Sequence, residues 1–123
     1  MKNSIYLLLL TTLFTACKPD SDTRPEIIGR WRAIAWTVNG LPSERDAAGV
    51  EFKFNSDNTY LAAYGAQQEA GVFRIKGDKL YTTSNAAGKI EKMVQIARLD
   101  RDTMVLNMNR VGTPEALVLI SYQ

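Results

Sequence analysis

The chain has 123 residues, of which 46% are hydrophobic, enough for one compact core and too few for two. Fifteen Lys and Arg oppose thirteen Asp and Glu for a net charge of +2, and with the signs interspersed no basic stripe marks a nucleic-acid partner. Histidine is absent and cysteine occurs once, which removes the usual proton shuttle near neutral pH, internal disulfides and thiolate zinc sites, so no metal or other cofactor is expected.

The first element is Lys2, an apolar block from Ile5 to Leu10, and then Thr11, Thr12, Leu13, Phe14, Thr15 and Ala16. This is the layout of a secretory signal peptide over residues 1–16. It is too short to cross a bilayer, which takes about 20 predominantly apolar residues. Phe14, Thr15, Ala16 and Cys17 resemble the lipobox of bacterial lipoproteins, with phenylalanine where leucine is more usual. The resemblance implies cleavage before Cys17, diacylglycerol on its thiol and an acyl chain such as palmitate on the new amine. One chain anchors only marginally, at about 0.8 kcal/mol per buried methylene, whereas two or three hold a domain durably. Cys17 is thus expected to be an anchor and not a nucleophile. The expected location is the cell envelope, lipid-anchored at the outer membrane on its periplasmic face or at the cell surface. Residues 17–26 form the lipidated cysteine and a flexible tether, because "KPDSDTRP" is polar and contains two prolines.

Residues 27–123 read as one β domain, with short apolar or β-branched runs separated by Gly, Asn, Asp and Pro clusters. "RWRAIAWTV" predicts a strand over Arg30 to Val38, with Ile34, Trp36 and Val38 on one face and Ala33, Ala35 and Thr37 on the other. "VEFKF" alternates cleanly, "NSDNT" is a turn, and "YLAAYG" completes a hairpin. "EAGVFRIK" and "LYTT" are joined by a tight connection at Gly77 and Asp78. "IEKMVQIARL", "MVLNMNR" and "EALVLISY" follow, the last apolar on both faces. About eight strands result, with one longer connection at Asn39 to Gly49. Short connections imply antiparallel neighbours. An open sheet would leave Glu115 to Tyr122 as a long unpaired edge, whereas closing last strand onto first removes it. The expected fold is an all-β, antiparallel up-and-down barrel of about eight strands, a size able to enclose one small ligand.

Gly29, Arg30 and Trp31 resemble the Gly-x-Trp opening of lipocalins, and "FKFNSDNTY", "GVFRIKGDKLYTT" and "VLNMNRVGTPEALVLI" are similar to the small lipocalin-like domain of many bacterial lipoproteins. The resemblance implies a barrel with a cavity at one end and binding without catalysis. It also implies a partial lid at Asn39 to Gly49. Gly29 and Trp31 would then form the closed base, with Arg110 as the basic residue packed over that tryptophan.

Trp36, Phe52, Phe54, Tyr60, Tyr64, Phe73 and Tyr81 are the large side chains available to line such a cavity, and equally available to fill a solid core. Met93, Met104 and Met108 read as ordinary packing. Arg74 offers a guanidinium for a ligand carboxylate if it points inward, although strand alternation favours the outer face. Glu69 and Glu115 begin strands, while Asp100 and Asp102 flank a turn, all places for solvated charges. Ser84 and Ser121 have no histidine to activate them. No enzymatic constellation can be assembled from this inventory, so the protein is expected not to be an enzyme. Two functions remain: a carrier or sensor of a small apolar ligand, or an interaction or inhibitor module that docks an envelope protein with its barrel filled.

Overall fold

The computed structural model describes residues 22, 24–44 and 47–122. The signal peptide and Cys17 therefore lie outside the described residues, as does the side chain of Arg110. Among the described residues nine strands follow one another: β1 (Gly29–Val38), β2 (Leu41–Pro42), β3 (Val50–Phe54), β4 (Thr59–Tyr64), β5 (Gln67–Lys76), β6 (Lys79–Ser84), β7 (Glu91–Leu99), β8 (Thr103–Arg110) and β9 (Thr113–Tyr122). Single turns of 3-10 helix occupy Pro25–Ile27 and Ala47–Gly49.

Each strand from β3 to β9 pairs antiparallel with the next, as short connections require. β1 supplies the closure. Its first half pairs with β3, from Gly29 opposite Phe54 to Arg32 opposite Glu51. Its other edge pairs with β9, from Arg30 opposite Tyr122 to Val38 opposite Glu115. β1 and β3 to β9 thus form a closed eight-stranded antiparallel barrel, and the pairing of first and last strands expected from the sequence is present. Closure leaves β9 without a free edge.

Two details of β1 differ from expectation. The register slips between Ala33 and Ala35, so a bulge inserts one residue and reverses the alternation beyond it. Trp31, Ala33 and Trp36 consequently face inward while Ile34 is 55% exposed; Ile34 and Trp36 do not share a face. Second, the connection after β1 is not one long loop. Asn39 and Gly40 both adopt positive φ (54° and 77°), the two-residue turn whose twist matches a hairpin. It returns Leu41 and Pro42 to pair with Val38 and Thr37.

Inside the barrel, alternation delivers Trp31, Phe54, Tyr60, Ile75, Met104 and Leu119 to one buried cluster. A fully buried large apolar side chain contributes about 1.5 to 3 kcal/mol. Ile27 joins this cluster and accepts a hydrogen bond on its carbonyl from the Trp31 indole N–H at 2.8 Å, so the base is shut by Trp31 and the Pro25–Ile27 turn together. Asp22, expected to be tether, is held at the same end: its N–H donates to Ile75 at 2.6 Å, and its carboxylate accepts from the Gly77 N–H at 2.6 Å. Asp22 and the turn at Pro25–Ile27 therefore belong with the fold.

Strand direction sorts the connections onto two ends. Asn55–Asn58, Gly77–Asp78 and Asp100–Asp102 lie at the closed end with the incoming chain. Asn39–Gly40, Gly65–Ala66, residues 85–90 and Val111–Gly112 surround the other end.

Candidate functional site at the barrel mouth

Burial of the inward-facing aromatics falls steadily along the barrel. Phe54, Tyr60 and Phe73 are core residues, with Phe73 meeting Phe54 edge-on at 5.0 Å. One layer higher Phe52 stacks on Phe54 at 5.8 Å and 8°, and is only half-buried. Tyr64 stands at the rim, edge-on to Phe52 at 5.9 Å, and is 37% exposed. Across the mouth, the bulge in β1 turns Trp36 inward, half-buried opposite Leu117. Of the seven aromatics proposed to line a cavity, Phe54, Tyr60 and Phe73 fill the core, whereas Trp36, Phe52 and Tyr64 shape the mouth.

Tyr81 belongs to neither group. Register places it between Arg74 of β5 and Met93 of β7, both on the outer face, and the Arg74 guanidinium lies over its ring at 3.9 Å. Arg74 also pairs with Glu91 at 3.4 Å. The expectation that Tyr81 lines a cavity is thus corrected, because alternation from Ile75 and Leu80, both buried, sends its neighbours outward.

Two carboxylates read from the sequence as solvated charges instead face the interior. Glu69 shares the inward parity of Gly71, Phe73 and Ile75; it accepts the Tyr60 hydroxyl at 2.8 Å and lies 3.5 Å from the Lys92 ammonium. Glu115 shares the parity of Leu117 and Leu119, is 4% exposed, and accepts the Trp36 indole N–H at 3.1 Å. β9 begins two residues earlier than expected, at Thr113, so Glu115 lies inside the strand and not at its solvated start. Burial, and then the bond to Glu69, push the Tyr60 phenol above its usual range. Each carboxylate is therefore tied to an aromatic donor, and the mouth combines exposed ring surface with a few fixed polar groups. Such a composition suits a mainly apolar molecule with a small polar end.

Gly71 was also not singled out in the sequence. It stands opposite Tyr60, and a Cβ there would strike the Thr83 carbonyl and approach the Tyr60 ring to 2.9 Å. Met93 is outward, Met104 is core and Met108 packs at the mouth. Shallow depressions among the described residues include two that open on the outer face. One of about 290 Å³ lies over β1, β3 and β4 beside Arg30, Lys53 and Leu61. One of about 530 Å³ crosses β7 to β9 and the end of β1 beside Met93, Gln95, Asn107 and Thr37.

No family model matches the chain, and no curated protein matches it. Solved structures do. A lipocalin-like protein from Bacteroides uniformis superposes with a TM-score of 0.62 at 13% identity, covering 79% of this chain and 99% of that one. An uncharacterized protein from Bacteroides eggerthii superposes with a TM-score of 0.59 at 16% identity, covering 78% and 99% respectively. At these identities the likeness is one of fold, and the barrel is lipocalin-like.

Proposed function

We propose that this lipocalin-like barrel belongs to a non-catalytic lipoprotein of the cell envelope, anchored through lipid on Cys17, and that its mouth binds a small, predominantly apolar ligand. The observation that carries the binding reading is the exposure gradient: inward aromatic surface is sealed at the base and left open at Trp36, Phe52 and Tyr64. A mouth built only for stability would cover these rings. The anchoring reading is supported by the signal-like residues 1–16 and the Phe14 to Cys17 motif. Replacing Cys17 by serine is expected to move the protein out of the membrane fraction; persistence there after signal removal would contradict the anchor.

The binding test is native mass spectrometry of residues 18–123 after exposure to an envelope extract of the producing cell. A discrete added mass, lost on denaturation and reduced by Trp36→Ala, is the expected result. A bare mass after repeated exposure overturns ligand binding. The second reading, a module that docks an envelope protein, is favoured by the 530 Å³ depression, which runs from the mouth rim at Gly40 and Pro114 onto the outer face at Met93, Gln95 and Asn107 and does not include Trp36 in its lining. It predicts that Asn107→Arg abolishes partner capture while Trp36→Ala leaves it intact.

A further inference from the structure

The two ends of the barrel differ sharply in what they show to solvent. Around the mouth, each connection or its flank carries a large exposed apolar side chain: Leu41 at 67%, Tyr64 at 37%, Ile90 at 65% and Val111 at 105% exposure. At the closed end the strand connections are Asn55–Asn58, Gly77–Asp78 and Asp100–Asp102, which hold four aspartates and no apolar residue. Near that base the exposed large apolar residues are Ile28, at 41%, and Val72, at 49%, which stands on the barrel wall opposite Thr59 and not on a connection.

Val111 is the most informative of the four. Val111 and Gly112 adopt φ of 50° and 86°, the same turn that Asn39 and Gly40 make with 54° and 77°. Asparagine is at home in this left-handed region, whereas a β-branched residue there is a conformational outlier. An isopropyl group is thus placed fully in solvent at a position where local geometry favours a polar residue. Backbone strain of this kind points toward a role outside the fold.

Charge at the mouth follows the same division. Residues 39–41, 64–66, 85–90 and 111–112 contain no carboxylate, and Lys89 is exposed beside Ile90. The acids at this end lie elsewhere: Glu44 and Asp46 on the longer connection, Glu91 held by Arg74 at 3.4 Å, and Glu69 and Glu115 turned into the mouth, where they accept from Tyr60 and Trp36. Aliphatic tips with a tyrosine and a lysine, free of acids, form the pattern of a surface that enters a lipid interface.

We propose that this crown of Leu41, Tyr64, Ile90 and Val111 docks onto a lipid surface, with its apolar tips in the headgroup boundary and Lys89 at the level of the phosphates. Docking in this pose places the barrel mouth against lipid, so an apolar molecule can pass between the two without crossing water. The proposal stands whether or not the mouth holds a ligand, because the tips lie outside it.

The test is flotation of residues 18–123 with vesicles of phosphatidylcholine, alone and mixed with phosphatidylglycerol. This part is sufficient because the barrel closes on itself and its core lies between Ile27 and Leu119. The protein is expected to float with both vesicles and more strongly with the anionic mixture. Leu41→Ser, Ile90→Ser and Val111→Asn combined should weaken partitioning by about tenfold or more, given the apolar area removed. Val111→Asn alone should lower partitioning while holding or raising the melting temperature, since asparagine relaxes the turn; a loss of binding then cannot come from misfolding. Absence of flotation, or flotation unchanged in the triple variant, overturns the proposal. So does a dimer in sedimentation that the triple variant loses while vesicles stay unbound, which would assign the crown to a second copy of the chain.

Discussion

A methyl group at Gly71 would meet backbone on one side and the Tyr60 ring on the other. The missing side chain is what lets Tyr60 lie across β5 and present its hydroxyl to Glu69. Gly71→Ala should therefore destabilise the fold by about 1 to 3 kcal/mol through overpacking, read from denaturant midpoints. Tyr60 itself has a pH signature. Its phenol is raised above the usual value of 10.0 in the folded state, so the folded protein keeps a proton that the unfolded chain releases. The stability from this group is complete below pH 10.0 and is lost as pH climbs toward the higher folded value. Phenolate absorbance should show Tyr60 ionising only with unfolding, and Tyr60→Phe should flatten stability in that alkaline window; early ionisation of every tyrosine would contradict the buried bond. Glu115 shows what the sequence offered at this scale. Its spacing from Leu117 and Leu119 already put it on their face, yet a charged residue at the start of an apolar run reads as solvated until the true start of β9 is known.

Strands were more legible than their faces. Alternation and Asn, Asp and Gly turns located all eight barrel strands within a few residues, because a half-buried strand must repeat every two residues. The bulge at Ala33 to Ala35 left no such mark: one added residue among Ala, Ile and Ala changes no local preference but reverses every side chain after it. β2 was missed because two residues show no period, although Asn39-Gly40 between Val38 and Leu41 is a strong hairpin signal. Tyr81 was misplaced because large aromatics suit either face of a strand. The face assignment of β9 can be checked directly. Leu119 is fully buried at the β1 to β8 seam while Ile120 faces outward beside it. Leu119→Ala should cost about 2 to 5 kcal/mol and Ile120→Ala less than about 1 kcal/mol; equal losses would mean the seam is registered differently.

At the scale of the molecule, the closed end concentrates hydrogen-bonded aspartates. Bonds from the Thr59 side chain and backbone lower the Asp57 pKa, and backbone bonds from Asp102 and Thr103, aided by Arg98, lower that of Asp100. Both folded values lie below the ordinary 3.8, so their stabilisation is present above that pH and is lost as pH falls through the depressed values. Their contribution should fade only below pH 3.8, and Asp57→Asn with Asp100→Asn should shallow the acid limb without altering the alkaline one. The docking of Asp22 beside Gly77 has a larger consequence. It makes the chain enter at the base, opposite the mouth, so a molecule tethered by residue 17 has a front and a back. Only residues 18–21 separate Cys17, the proposed anchor, from Asp22, a reach of about 14 Å at full extension. β1, ten residues long, lifts the mouth by a further 25 Å or so once strand tilt is included. The stem is shorter than the cup it carries. A barrel anchored in the proposed way could not bow its mouth to the membrane that holds it, and its crown would face whatever membrane or particle approaches from across the gap.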